Sequence, residues 1–313
     1  MVNASDPLVR KELTFTQLKY FIAAAQHRSM TGAAAELYVA QSAVSTAVAQ
    51  LERTLDADLF IRQPSKGLAL TASGKQLLRD ARSLLAQLDE LTENVRSQDQ
   101  TIEGVLRLAC FVTLAPFILP KLISAIGERH PDLRIEVFEA DFDETTKMLR
   151  NGMVEAALTY DYGPTQGISY NLLYQSEPHV ILPADHALAE KDVISLSSLE
   201  GWGIILLDIP HSREYFLDMF DSGLGKFPVR HSSRSYETVR SLVARGHGFS
   251  ILNNIPKSDF TYDGGCIKTV PIADPVPNLG VCFAHATDIR PSARARAVAT
   301  IAASILQDAE STQ

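Results

Sequence analysis

Apolar residues recur at helical spacing through the first hundred positions and then give way to alternating short apolar runs and amphipathic stretches. Over residues 15–25, Leu18, Phe21, Ile22 and Ala25 share one face, which predicts an amphipathic helix with Thr14 or Thr16 as its cap. Residues 29–53 predict two short helices meeting at a tight corner. Ser29 is the N-cap of the first, and Met30, Ala33, Ala34 and Leu37 face inward, the alanines allowing a second helix to approach closely. The second helix, about 41–54, carries Val44, Val48, Leu51 and Leu55 on one side. At about 100° per residue, Ser42, Thr46, Ala49 and Arg53 fall on the other side with Ser45 on its flank.

That outer face is short and rich in hydroxyls. A helix needing only solubility shows Lys and Glu there, whereas one that enters the DNA major groove needs compact donors and acceptors. An ordinary helical hairpin on a globular domain is the plainer reading of the same stretch. Farther on, Leu59–Arg62 and Leu68–Thr71 predict two strands around the turn Pro64-Ser-Lys-Gly67, a hairpin with Arg62 and Lys66 at its tip, where phosphates are within reach. From Ala72 to about Gln98 there is no Gly after Gly74 and no Pro. Leu77, Ala81, Leu84, Leu88, Leu91 and Val95 follow spacings of 4, 3, 4, 3 and 4, a heptad seam. A seam on so long a helix either pairs with the same helix of a second chain or packs on its own domain.

Beyond the polar stretch 96–101 the texture becomes strand, then helix, repeated. Strands are predicted at 105–109, 133–138, 156–160, 169–174, 178–182, 203–207, 229–232, 249–252 and 279–285. Helices are predicted at 116–129, 144–151, 211–222, 236–245 and 293–306. This alternation predicts α/β layers with a parallel sheet. The carboxylates at 139, 141, 143 and 144 read as a solvated loop and helix start, with Asp143 the candidate N-cap.

Composition sharpens the picture. The chain has 313 residues, 46% hydrophobic and 21% charged, enough for two or three domains with their own cores. With no apolar run of membrane-spanning length and no basic, apolar leader at the start, a cytoplasmic protein is expected. The net charge is −8, but residues 1–98 hold 11 Lys+Arg and 10 Asp+Glu (+1), leaving 18 and 27 (−9) for the rest. The acidity therefore belongs to the later part, and the first part must bind DNA through a few placed cations and through pairing of two units. Cys110, Cys266 and Cys282 are far apart and lack metal-ligand spacing, so each reads as a small buried hydrophobe.

The run Phe-Thr-Gln-Leu-Lys-Tyr-Phe, then Ala-Ala-Glu-Leu, Gln-Ser-Ala-Val-Ser, Gln-Leu-Glu, Leu-Phe-Ile-Arg and Leu-Thr-Ala-Ser-Gly, from Phe15 to Gly74, resembles the winged helix-turn-helix of the LysR-type transcriptional regulators. Leu182-Pro-Ala-Asp-His-Ala-Leu-Ala189 and Gly246-His-Gly-Phe-Ser-Ile-Leu252 look like later landmarks of that family. The resemblance implies an α+β multidomain chain: a winged helix-turn-helix at 1–71, a dimerisation helix at 72–100, and a two-lobed α/β effector domain resembling periplasmic binding proteins. Its first lobe would be 101–173 with 275–313, and its second 174–274. Carried over by motif, Gln41, Ser42, Ser45 and Thr46 would touch bases or groove, with Arg62 and Lys66 on the wing. Thr46 and Ala49 stand where the family often has Arg and Lys, so two groove cations are missing. The implied partners are double-stranded DNA at a pseudo-palindromic operator, a small effector, and further copies of the chain as a homodimer or homotetramer. No membrane and no cofactor are implied.

Ligands of such sheets bind beyond the carboxyl ends of strands, near helix N-termini. By that topology Thr113, Thr159, Tyr160, Asp161, His211 and Asn253 are the effector-site candidates, with Ser212 and Asn254 beside the last two. Thr113 either meets a ligand carboxylate or caps the helix near Pro116, and Tyr160 is either half-packed or contacts ligand. A small anionic or aromatic metabolite is expected. No nucleophile elbow, phosphate loop or zinc-protease pair occurs. The competing reading is a lobed-cleft binding protein or enzyme with a fused helical interaction domain, which would need a signal peptide, or a nucleophile or cofactor attachment near the cleft.

Overall fold

The computed structural model describes residues 13–63, 67–96, 102–221, 227–287 and 289–310. The chain divides into two compact units, Met1–Gln100 and Thr101–Gln313. Among the described residues no helix is long and apolar enough to cross a membrane.

The first unit begins with α1, Phe15–His27, whose N-cap is Thr14. Thr14 Oγ1 accepts from the Gln17 amide at 3.2 Å, and Gln17 Oε1 accepts from the Thr14 amide at 2.9 Å, satisfying two end donors reciprocally. Ala23 and Ala24 are buried with Leu18 and Phe21, while Ile22 and Ala25 are only partly covered, so the inner face is turned slightly from the one predicted. α2, Met30–Glu36, is capped by Ser29, and α3, Gln41–Leu55, follows. Ala33 and Ala34 meet Val44, Val48 and Leu51 in one core with Leu59 and Ala81. Leu55 does not join them; it is 39% exposed in the last helical turn.

β1, Phe60–Gln63, and β2, Gly67–Leu70, pair antiparallel as the wing, one residue later and one earlier than their predicted starts. Glu52 Oε1 accepts from the Leu59 amide at 2.8 Å, and the Leu68 amide donates to Arg28 O at 2.8 Å, fixing the wing to the helices at both ends. α4, Ala72–Arg96, then runs 25 residues. Its seam divides: Leu77 and Ala81 pack on the unit's own core, while Leu84 is 43% exposed. The side chains of Leu91 and Val95 lie outside the described residues.

The second unit is two-lobed. Its first lobe is a five-stranded sheet of β3 (Gly104–Phe111), β4 (Leu133–Ala140), β5 (Ala156–Tyr160), β6 (Ile168–Ser176) and β12 (Leu279–Ala286), in the order β4-β3-β5-β12-β6. β3 is parallel to β4 and β5, but β12 is antiparallel to both β5 and β6, so the sheet is mixed where the alternation predicted a parallel one. The strand that closes it returns from the distant end of the chain. α5 (Ala115–Arg129), α6 (Phe142–Arg150) and α9 (Ala293–Glu310) accompany this sheet.

The second lobe holds β7 (His179–Pro183), β10 (Ser250–Leu252) and β11 (Ile267–Pro271) as a three-stranded antiparallel sheet in the order β10-β7-β11. β8 (Ile204–Leu207) and β9 (Val229–Ser233) pair parallel beside it, with α7 (Ser212–Asp221) and α8 (Tyr236–Ala244) following them. β11 was not predicted; its burial does not alternate, with Ile267 and Val270 buried and Lys268 exposed, and Pro271 ends it. β6 stays in the first-lobe sheet until Ser176, which pairs with Leu279, so the chain crosses between lobes at 177–178 and 272–278. One apolar cluster, including Leu158, Ile118, Ile205 and Phe249, extends through both lobes.

Candidate functional site

On α3 the division of faces is sharp. Val44, Val48 and Leu51 are buried, while Gln41, Ser42, Thr46 and Ala49 are exposed and Ser45 is half-buried. Gln41 Nε2 donates to Ser45 Oγ at 2.7 Å, which orients the Gln41 amide along the first turn. Ala40 stands at the N-cap without a side-chain bond to the helix. The surface so formed has amide and hydroxyl groups and no cation before Arg53, a chemistry suited to base edges more than to phosphates. The Arg62 side chain and the whole of Lys66 lie outside the described residues.

The second candidate region is the cleft between the two lobes of the second unit. Thr113 follows β3 and is 6% exposed. It does not cap α5: the N-cap is Leu114, with no side-chain bond. Its carbonyl instead accepts from Asn254 Nδ2 at 3.2 Å, and the same amide donates to Tyr160 OH at 2.8 Å. Tyr160, at the end of β5, is 2% exposed, fully packed rather than half so. Burial pushes its phenol up, against hydrogen bonds to Asn254 and Thr113 that act the other way.

Tyr162 extends the cluster. Its hydroxyl lies 2.8 Å from Ser212 Oγ, and its ring stacks on His211 with centroids 5.8 Å apart. His211, held at φ 65°, reaches Asp143 of the first lobe at 3.0 Å. Asn253 Nδ2 donates to Ser176 O at 3.3 Å and to Tyr215 OH at 3.1 Å, and burial pushes the Tyr215 phenol up to about 12. Tyr236 OH donates to Asn254 O at 2.5 Å, and its ring meets Phe117 edge-on at 5.7 Å. Thr113, Tyr160, His211 and Asn253 therefore belong to one packed cluster between the lobes.

Two candidates do not join them. Thr159 is buried, and strand alternation sends it to the face opposite Tyr160. Asp161 is exposed and spends Oδ1 on the Gly163 amide at 2.9 Å. The acidic loop also differs from expectation. Asp141, not Asp143, caps α6, accepting from the Glu144 amide at 3.0 Å; it is 8% exposed, and Arg234 of the second lobe bonds its other oxygen at 2.9 Å. The unpredicted members, Tyr162, Tyr215 and Tyr236, share a position in the fold: each follows the carboxyl end of a strand, or sits in the first turns of the helix after one. That placement was a usable signal. Among the described residues no group of His, Cys, Asp and Glu is arranged to hold a metal.

Residues 15–75 match the family described as bacterial regulatory helix-turn-helix protein, lysR family, and residues 99–306 match the LysR substrate binding domain. The chain is 30% identical over 247 residues, 79% of its length and 83% of the relative's, to the HTH-type transcriptional regulator YvbU of Bacillus subtilis. It is 29% identical over 280 residues, 89% of each chain, to a probable hydrogen peroxide-inducible genes activator of Streptomyces viridosporus. Among solved structures, a full-length OxyR variant of Pseudomonas aeruginosa superposes with a TM-score of 0.77 at 26% identity, covering 94% of this chain and 98% of that one. HinK, a LysR family transcriptional regulator of the same organism, gives 0.64 at 32% identity over 94% and 99%.

Proposed function

This chain belongs to the LysR family of bacterial helix-turn-helix regulators, and from that premise we propose how it reads DNA and what its second unit senses. It is a DNA-binding transcriptional regulator with an effector-binding unit, not an enzyme. Gln41, Ser42, Ser45 and Thr46 meet base edges in the major groove, and Arg62 and Lys66 on the wing meet phosphates. The exposed polar face of α3 above a buried Val44–Val48–Leu51 stripe is the observation that carries this reading. Residues 72–100 join two chains, so that two copies of α3 address the halves of a pseudo-palindromic operator, in the cytoplasm. Replacing Ser45 and Thr46 together by Glu abolishes sequence-specific binding in a gel shift and leaves the mass by light scattering unchanged; retained specific binding rejects the assignment.

Thr113, Tyr160, His211 and Asn253, with Tyr162, Ser212 and Asn254, form the effector site. Of the two expected ligand classes, the side chains favour a small aromatic metabolite with hydrogen-bonding groups over an anion. The site offers phenol rings and hydroxyls, while Arg234, His211 and Arg213 already face Asp141, Asp143 and Asp208 at 2.9, 3.0 and 3.0 Å. An anion drawn to these side chains would have to displace one of those carboxylates. Effector binding parts or resets the two lobes, since Asn254 and Asn253 tie one to the other. Hydrogen peroxide, the inducer named for some relatives, reacts with a thiolate. Here Cys110 and Cys282 are buried in strands, burial pushing both thiols up, Cys282 to about 12, so neither supplies that thiolate; Cys266 is half-buried rather than buried as its sequence context suggested, and is the one thiol a peroxide could reach.

A further inference from the structure

Tyr38 occupies the turn between α2 and α3. Its side chain is 96% exposed, and its backbone sits at φ 53°, in the left-handed region. Such a conformation costs a non-glycine residue about 1–2 kcal/mol. The turn is fixed by the corner itself: the Val39 amide donates to Ala34 O at 3.0 Å and the Tyr38 amide to Ala35 O at 3.4 Å. The ring takes no part in the core of Ala33, Ala34, Val44 and Val48 beneath it. A glycine would fit the backbone better and lose no packing, so the tyrosine side chain contributes nothing to the stability of this unit.

Position supplies the reason. Tyr38 lies three residues before Gln41, so their Cα atoms are at most about 11 Å apart at 3.8 Å per step. A recognition helix meets base edges with its N-terminal residues, and the chain leading into it therefore crosses the phosphate rim of the groove. Gln41, Ser42, Ser45, Thr46 and Ala49 offer no cation to those phosphates. We propose that Tyr38 is a DNA-backbone contact, its phenolic hydroxyl donating to a phosphate oxygen at the edge of the groove and setting how deeply α3 seats. This rests on the assignment of α3 as the groove-reading helix.

The full chain is tested by fluorescence anisotropy on an operator selected from a random duplex pool and on single-base variants of it. Tyr38→Phe lowers affinity about tenfold, the size expected for losing a hydrogen bond to a charged group. The loss is equal across the base variants, and the slope of log affinity against log salt is unchanged, because a neutral donor releases no counterion. Tyr38→Gly loses at least as much affinity while its thermal midpoint rises. Native affinity in Tyr38→Phe overturns the proposal, as does a loss confined to particular base pairs. Ser45→Glu in the same assay separates the two assignments. If it too binds as the native chain does, α3 is not the reader; if it alone loses binding, only the role of Tyr38 fails.

Discussion

Replacing Asn254 by Ala removes the amide that joins the lobes of the second unit. Its Nδ2 donates to Thr113 O at 3.2 Å and to Tyr160 OH at 2.8 Å. A buried hydrogen bond contributes about 0.5–1.5 kcal/mol net, so the two together are worth about 2 kcal/mol. The buried Tyr160 hydroxyl keeps only Thr113 beside it, which holds the loss near that figure rather than above it. Trp202 is the only tryptophan in the chain and lies in the second lobe, so its fluorescence reports unfolding of this unit selectively. With a urea slope of about 2.5 kcal/mol/M, the midpoint falls by about 0.8 M. A cycle with Tyr160→Phe isolates the pairwise part, for which about 1 kcal/mol of coupling is expected. A native midpoint in Asn254→Ala, or a coupling indistinguishable from zero, would show that this amide does not hold the lobes together.

Leu84→Glu combined with Leu88→Glu is expected to release monomers by light scattering, while Leu77 and Ala81 are unsuitable probes because they pack on their own core; an unchanged mass removes this part of α4 from the chain–chain interface. Burial lowers His179 to about 4, so the folded chain keeps it neutral while the unfolded chain takes up a proton near pH 6.5. Stability is therefore full above about pH 6.5 and falls by about 3 kcal/mol on going down to pH 4, at 1.36 kcal/mol per unit. Urea midpoints at pH 7 and pH 5 measure this, and His179→Gln should flatten the profile; a native profile already flat over that window contradicts it. In a Cys266→Ser background, which removes the half-buried thiol, Cys110 and Cys282 should resist maleimide in the folded chain and react after unfolding, and peroxide should leave operator affinity unchanged. Rapid labelling of either thiol in the native protein would reopen a redox role.

Local rules carried the first unit almost completely. Thr14 and Ser29 cap their helices as side-chain chemistry dictates, and the Ala33–Ala34 pair meets Val44 and Val48 because small residues in one helix admit branched ones from the next. The errors there are rotations of a face or one-residue shifts, as at Ile22, Leu55 and the wing, where the pattern is set by neighbours outside the segment. Strand ends in the sequence pointed to Thr113, Tyr160, His211 and Asn253, which the fold gathers between the lobes, yet gave no way to separate Thr159, which the same strand sends to its other face.

What the order of residues settled by itself was therefore the set of elements and the two-helix corner with its hydroxyl-bearing face, since caps, periodicity and turn chemistry all act within a few residues. The partnership of groups far apart in the chain was decided only by the tertiary fold. Asp141 met Arg234 and Asp143 met His211 because both partners arrive from another lobe. The mixed sheet arose because β12 inserts antiparallel between β5 and β6 from more than a hundred residues away. No short-range pattern encodes such meetings, because the free energy that fixes them comes from burying both partners at once.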